Sequence, residues 1–219
     1  DQQSFYLLER FIPGDICHVD SIIYESQVVW AVASAYGKPP LEVSHSGDIF
    51  TTRLMERGSE REKAVLDKNR SVLAGLGLVR GVSHTEFIVG HEDQRVYFLE
   101  TSARVGGAHI ADLVEAATGI NMLVEWSSAE IAGGNAPYAP PVAREDYAGL
   151  IVSLARQEWP DTSPYRDTEI VWRMNKKNHA GLIVRSHSHE RVGELLTGYA
   201  ERFRQDFFAS MPPKDKPTH

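Results

Sequence analysis

Two runs dense in β-branched and aromatic residues, Gly81–Val89 and Val96–Ala103, flank the polar stretch His91-Glu92-Asp93-Gln94-Arg95. Strand-like density on both sides of a short polar loop predicts a hairpin. Side chains alternate along a strand, so His84, Glu86 and Ile88 share one face, and Val96, Phe98, Glu100 and Ser102 share another. With residues 91–95 as the loop, Gly90 pairs with Val96 and Glu86 falls opposite Glu100. Direct cross-strand neighbours have Cβ atoms roughly 4.5–5.5 Å apart.

Two carboxylates that close are unfavourable unless one is protonated or a cation lies between them. A hard cation such as Mg²⁺ takes oxygen ligands, commonly one or two carboxylates with phosphate oxygens. The pair Glu86 and Glu100, with Ser102 as a further oxygen and Arg104 just beyond, therefore suits a Mg-phosphate site. The plainer alternative is a solvated charged face, which is what most charged hairpin pairs are. Against it stands the setting: Glu86 lies between Thr85 and Phe87, and Glu100 follows Val-Tyr-Phe-Leu. Carboxylates inside apolar strands need partners.

The rest of the chain reads as strands grouped with helices rather than strict βαβ alternation. That favours an α+β fold with a mostly antiparallel sheet and packed helices. Strands are expected at Tyr6–Ile12, Ile16–Tyr24 and Gln27–Tyr36, and Leu41–Gly58 reads as a long loop. Ser59 with Glu62 has the capping-box pattern and opens a helix closed by Gly75 and Gly77. Gly106-Gly107 leads into a helix ending at Gly119, and Asn121 caps another that runs to Gly133-Gly134. Pro137, Pro140 and Pro141 mark a linker. Beyond it come the strands Tyr147–Ala155, Glu169–Arg173 and Gly181–Arg185, then a helix with Val192, Leu195, Leu196, Tyr199, Phe203 and Phe207 on one stripe. The Pro- and Lys-containing tail Met211–His219 is expected to be disordered.

Composition narrows the function classes. The 219 residues carry 23 Lys+Arg against 30 Asp+Glu, and this acidic balance argues against a nucleic-acid-coating protein. One cysteine, Cys17, excludes a disulfide framework and a cysteine-based zinc finger. Apolar runs such as Val28–Ala33 are far shorter than a membrane span. A cytoplasmic globular protein is expected, with no membrane or nucleic-acid partner. His187-Ser188-His189-Glu190 has metal-like spacing but reads better as the cap of the last helix, and Trp126, Trp159 and Trp172 read as packing anchors.

The stretch His84-Thr85-Glu86-Phe87 with Tyr97-Phe98-Leu99-Glu100-Thr101-Ser102-Ala103-Arg104-Val105-Gly106-Gly107 resembles the ATP-grasp family, especially its carboxylate–amine ligases. The opening Leu7-Leu8-Glu9-Arg10-Phe11-Ile12-Pro13-Gly14-Asp15, followed by His18-Val19-Asp20, resembles the family's adenine-hinge strand and the strand after it. The resemblance implies ATP and Mg²⁺, or Mn²⁺, as cofactors. It implies that Glu9, Arg10, Phe11 and Ile12 meet the adenine, largely through backbone groups of Arg10 and Ile12, with His18 or Asp20 near the ribose. Glu86, Glu100 and Ser102 would hold the metal, Ser102 standing where the family usually has Asn. Arg104 would steady the acyl phosphate as the catalytic cation, and Gly106, Gly107 and His109 would border the acyl-substrate pocket.

The family's phosphate loop and its two ATP-binding lysines precede the hinge strand, with which this chain opens. The chain is thus expected to be part of a longer protein: residues 1–134 as an ATP-grasp C-terminal subdomain, 135–210 as a small α+β extension, and 211–219 as the tail. The implied activity of the parent is ATP-dependent joining of a carboxylate to an amine, with an amino acid as one substrate, and a homodimer is among the expected assemblies. For the isolated chain, inactivity and weak ATP binding are expected. The alternative is a nucleotide-binding or assembly module without catalysis.

Overall fold

A computed structural model of the chain describes residues 8–46 and 48–209. Eight strands form one sheet in the order β5-β4-β1-β2-β3-β6-β8-β7. They are β1 (Gly14–Tyr24), β2 (Gln27–Tyr36), β3 (Phe50–Leu54), β4 (Gly81–Gly90), β5 (Val96–Ser102), β6 (Tyr147–Leu154), β7 (Ile170–Arg173) and β8 (His179–Ser186). Every neighbouring pair is antiparallel, as the α+β reading anticipated. The helices are α1 (Pro40–Ser46), α2 (Glu60–Leu76), α3 (Ile110–Thr118), α4 (Met122–Ala132) and α5 (His189–Asp206).

The helices cover both faces because the strands are apolar on both. On one face Val65 of α2 packs among Cys17, Val19, Ala33, Phe87 and Val89. On the same face α5 buries Val192, Leu196, Tyr199 and Phe203 against Ile151, Leu182 and Val184. On the other face α3 and α4 bring Ile110, Leu113, Val114 and Met122 onto Ile22, Val82, Leu150 and Ile183. The helix ends follow their local chemistry. The Ser59 side chain accepts from the Glu62 N–H, and Gly77 closes α2 in the left-handed conformation (φ 71°). Asn121 caps α4 and Ser188 caps α5, so the segment around His187 starts the last helix as expected.

Three local expectations are corrected. Residues 8–13 are irregular, not strand; Tyr6 and Leu7 of that expected strand lie outside the described residues, as does Met211–His219. Both edges of β1 are already taken by β2 and β4, Leu8 and Phe11 are 97% and 84% exposed, and among the described residues the stretch is tied only near its end, where the Pro13 carbonyl accepts from the His91 N–H at 3.0 Å. The expected loop Leu41–Gly58 contains α1 and β3. Strand β3 exists because it bridges β2 and β6, for example Thr52 to both Tyr36 and Leu150, and that support is remote in sequence.

The hairpin register is the third. Val89, not Gly90, pairs with Val96, and a bulge between Glu86 and Phe87 then brings Glu86 opposite Glu100. Leu99 is the extra residue of the bulge, so Phe98 pairs with Phe87 while Glu100 pairs with Glu86. Val96 and Phe98 therefore share a face with Val89 and Phe87 under α2, and Glu100 and Ser102 turn to the opposite one. Of the three tryptophans expected as packing anchors, Trp126 and Trp172 pack against the core, but Trp159 is 57% exposed and meets Lys177 over its ring at 5.6 Å.

Candidate functional site

The register lays out a polar site on the α3/α4 face of the sheet. His18 stands beside Glu86, Asp20 beside His84, His84 beside Ser102, and Glu86 beside Glu100. Tyr36 and Thr52 are paired on β2 and β3 and reach into the same group. His18 and Asp20 are buried to 0% and 1% exposure, and His84 to 6%, while Glu100 lies on the open side.

The buried part is a chain of hydrogen bonds. Asp20 accepts from His18 Nδ1 on Oδ2 and from His84 Nδ1 on Oδ1, both at 2.9 Å. His18 Nε2 lies 2.9 Å from Thr52 Oγ1, whose hydroxyl also lies 3.2 Å from the Ala35 carbonyl. Tyr36 donates its hydroxyl to Glu86 Oε1 at 2.6 Å. His84 Nε2 then faces two acceptors, the Tyr36 oxygen at 3.5 Å and Glu86 Oε1 at 3.7 Å. With Asp20 able only to accept, both imidazoles carry a proton on Nδ1.

The electrostatics follow from this wiring. Burial works against a charged His84, but the hydrogen bond to Asp20 and the nearby Glu86 carboxylate outweigh it and raise the imidazole to about 9. Burial would raise Asp20, yet the two imidazoles hold its carboxyl well below the usual range. Glu86 is likewise lowered: burial opposes, and His84 and Tyr36 prevail. Burial, then the Glu86 carboxylate, pushes the Tyr36 phenol far up, so it stays a donor.

The other expected site residues surround this group unevenly. Glu9, Arg10 and Phe11 are exposed and Ile12 half-buried in the irregular lead-in to β1. His18 is enclosed, with both ring nitrogens engaged. Arg104 is exposed, donates Nη1 to the Val105 carbonyl at 2.8 Å, and forms no ion pair among the described residues. Gly106 is buried where a Cβ would meet Ile110 at 2.6 Å and Asp20 Oδ1 at 3.0 Å, so the turn after β5 lies directly on the buried carboxylate. Gly107 is exposed. Ala108 and His109 follow at φ 49° and 67°, a costly left-handed pair for non-glycine residues. His109 bonds Asp112 at 2.8 Å and packs its ring on Trp172.

Sequence reasoning missed Tyr36, Thr52 and the joint role of Asp20 and His84. The signal was present as His-x-Asp at 18 and 20 and His-x-Glu at 84 and 86, each a period-two pair on one face. Among the described residues, His18, Asp20 and His84 are the His/Asp/Glu trio with metal-ligand spacing; the His187 region forms none, and His187 instead pairs with Asp146. A cavity of about 1160 Å³ borders Tyr36 and Thr52 but lies between α2 and α5, away from the Glu86–Glu100 pair. Of its cations, Lys38 and Arg204 are paired with Asp48 and Arg61 with Asp15, while Arg53 donates Nη1 to the His189 carbonyl at 3.5 Å.

Neither a protein-family model nor a curated protein matches the sequence. The fold does match solved structures. An L-amino acid ligase from Bacillus licheniformis superposes with TM-score 0.63 at 15% identity, over 91% of this chain and 53% of its own. A phosphoribosylglycinamide synthetase from Anaerococcus prevotii gives 0.61 at 15% identity, over 90% and 53%. A carboxyaminoimidazole ribonucleotide synthase from Aspergillus clavatus, solved with ATP, gives 0.62 at 10% identity, over 90% and 52%. These are ATP-grasp enzymes, and this chain has the fold of part of such an enzyme. It spans about half the length of each of these three structures.

Proposed function

We propose that the chain is part of an ATP-dependent ligase that activates a carboxylate as an acyl phosphate and joins it to an amine, releasing ADP and phosphate. The observation that carries this reading is the direct pairing of Glu86 with Glu100, with Ser102 on the same face, in an ATP-grasp fold. Three oxygen donors on one face of two adjacent strands suit a hard cation, so these residues fit Mg²⁺ or Mn²⁺. Bound there, the ion would supply charge neutralisation for the ATP phosphates.

The chain's own residues do the rest. Glu9, Arg10, Phe11 and Ile12 border the adenine, and His18 lies toward the ribose from within the sheet. Arg104, a cation without a carboxylate partner among the described residues, faces the negative charge that grows as the amine attacks the acyl carbon. Gly106 and Gly107 keep the following turn low, and His109, fixed by Asp112, borders the acyl substrate. An amino acid is the substrate class favoured by the Glu-Thr-Ser-Ala-Arg-Val-Gly-Gly run. Partners are then small molecules.

The alternative, a nucleotide-binding module without catalysis, is the reading favoured by the half-length match. The two part in one assay. The full-length protein with Mg-ATP and a panel of amino acids releases ADP and phosphate if it is a ligase; release no higher than without amino acids favours the module.

A further inference from the structure

We propose that Asp20 and His84 are positioning residues for Glu86: the buried chain Thr52–His18–Asp20–His84 sets the orientation in which the Glu86 carboxylate meets the open face of the sheet. This rests on the reading of Glu86 as a metal-holding carboxylate. Each link removes one freedom from the next. Asp20 is fully enclosed and uses one oxygen for each imidazole, so it cannot rotate without breaking a bond at 2.9 Å. His84, tied at Nδ1, is left with Nε2 directed at Glu86 and Tyr36. Tyr36 fixes the same Glu86 oxygen from β2. Glu86 Oε1 thus takes a hydrogen bond from Tyr36 at 2.6 Å and stands at ion-pair distance, 3.7 Å, from His84 Nε2, and neither group faces the open site.

The Asp20 carboxylate also reaches the turn after β5. The backbone of Gly106 packs so near Asp20 Oδ1 that a Cβ would stand 3.0 Å away. Asp20 is therefore where β1, β4 and the turn that follows Arg104 meet, and its loss disturbs both sides of the site. Residues that orient metal ligands from behind, when removed, typically cost 10–100-fold in metal affinity.

The trio His18, Asp20 and His84 also has the residue types and spacing of a cation site. Its hydrogen bonding argues for protons instead: both Asp20 oxygens take N–H donors, and each outer Nε2 faces a further polar partner. A cation there would have to displace both Nδ1 protons.

The experiment uses the chain as it stands, with two readouts. The first is the ¹³C carboxyl signal of Glu86 without metal, with that of Glu100 as reference. The second is Mn²⁺ affinity by electron paramagnetic resonance, on variants whose fold is checked by circular dichroism. Asp20→Asn and His84→Gln are expected to move the Glu86 signal, leave Glu100 in place, and weaken Mn²⁺ binding about tenfold or more. A Glu86 signal unmoved in folded Asp20→Asn overturns the proposal. Should that variant not fold, Thr52→Val at the far end carries the same test: a smaller shift at Glu86 supports it and no shift overturns it. Mn²⁺ binding lost in Asp20→Asn but kept in Glu86→Gln places the ion in the trio and also overturns it. If the wild-type chain binds no Mn²⁺ while the Glu86 signal still moves, the positioning stands and the metal reading of Glu86 fails.

Discussion

His84 makes the stability of this fold depend on pH in a window few other groups share. Its imidazole is 6% exposed and faces Asp20 and Glu86, with His18 and Tyr36 beside it and Ser102 across the strand pair. Folding raises it from the ordinary 6.5 to about 9. A histidine raised on folding stabilises fully below its unfolded value, and the contribution is lost as pH climbs through the folded value. The size of that loss is about 3 kcal/mol, from about 1.4 kcal/mol for each tenfold change in proton affinity. Asp20 and Glu86 are lowered on folding, so their contribution is lost only on acidification, below this window. His189, lowered by burial, acts only below 6.5, and Cys17, pushed up to about 12 by burial, acts only above its ordinary 9.0. Urea unfolding followed by tryptophan fluorescence, repeated from pH 6 to about 9, reads the effect. The wild type is expected to lose about 3 kcal/mol across that range, and His84→Gln to start lower and lose far less. Equal slopes in the two proteins would refute the wiring of His84 to Asp20 and Glu86.

Two further perturbations test the packing around the site. Gly106→Ala puts a methyl 2.6 Å from Ile110 and 3.0 Å from Asp20, so it is expected to cost about 1–3 kcal/mol in urea unfolding. Leu113→Ala empties a fully buried position between α3 and the sheet and is expected to cost about 2–5 kcal/mol, with a matching fall in Tm.

How much of this was legible depends on the range of the interaction. Helix α2 was readable because Ser59, Glu62 and Gly77 act within a turn of their own backbone, and the same holds for Asn121 at α4. The apolar stripe of α5 follows a 3.6-residue period and needs no partner to be seen. Strand β3 was hidden because its partners lie 16–20 residues before and 96–102 residues after, and its central residues, Thr51, Thr52 and Arg53, are polar. The Glu86–Glu100 pairing was anticipated through an incorrect loop: the turn starts one residue earlier, and the bulge at Leu99 restores the pair. Bulges add a residue without any marked composition, so alternation alone could not reveal this one. The Asp20–His84 bond spans 64 residues, and only the β1–β4 register discloses it.

We propose that the face carrying Glu86 and Glu100 serves carboxylate activation. Hydroxylamine intercepts acyl phosphates as hydroxamates, which makes the step directly observable. The full-length protein, with Mg-ATP, hydroxylamine and a pool of amino acids, is expected to form hydroxamate, and Glu100→Gln, altering an exposed carboxylate, is expected to reduce it about 100-fold or more while the fold is kept. Hydroxamate formed equally well by Glu86→Gln and Glu100→Gln, or none formed by the wild type with any carboxylate in the pool, would contradict that role.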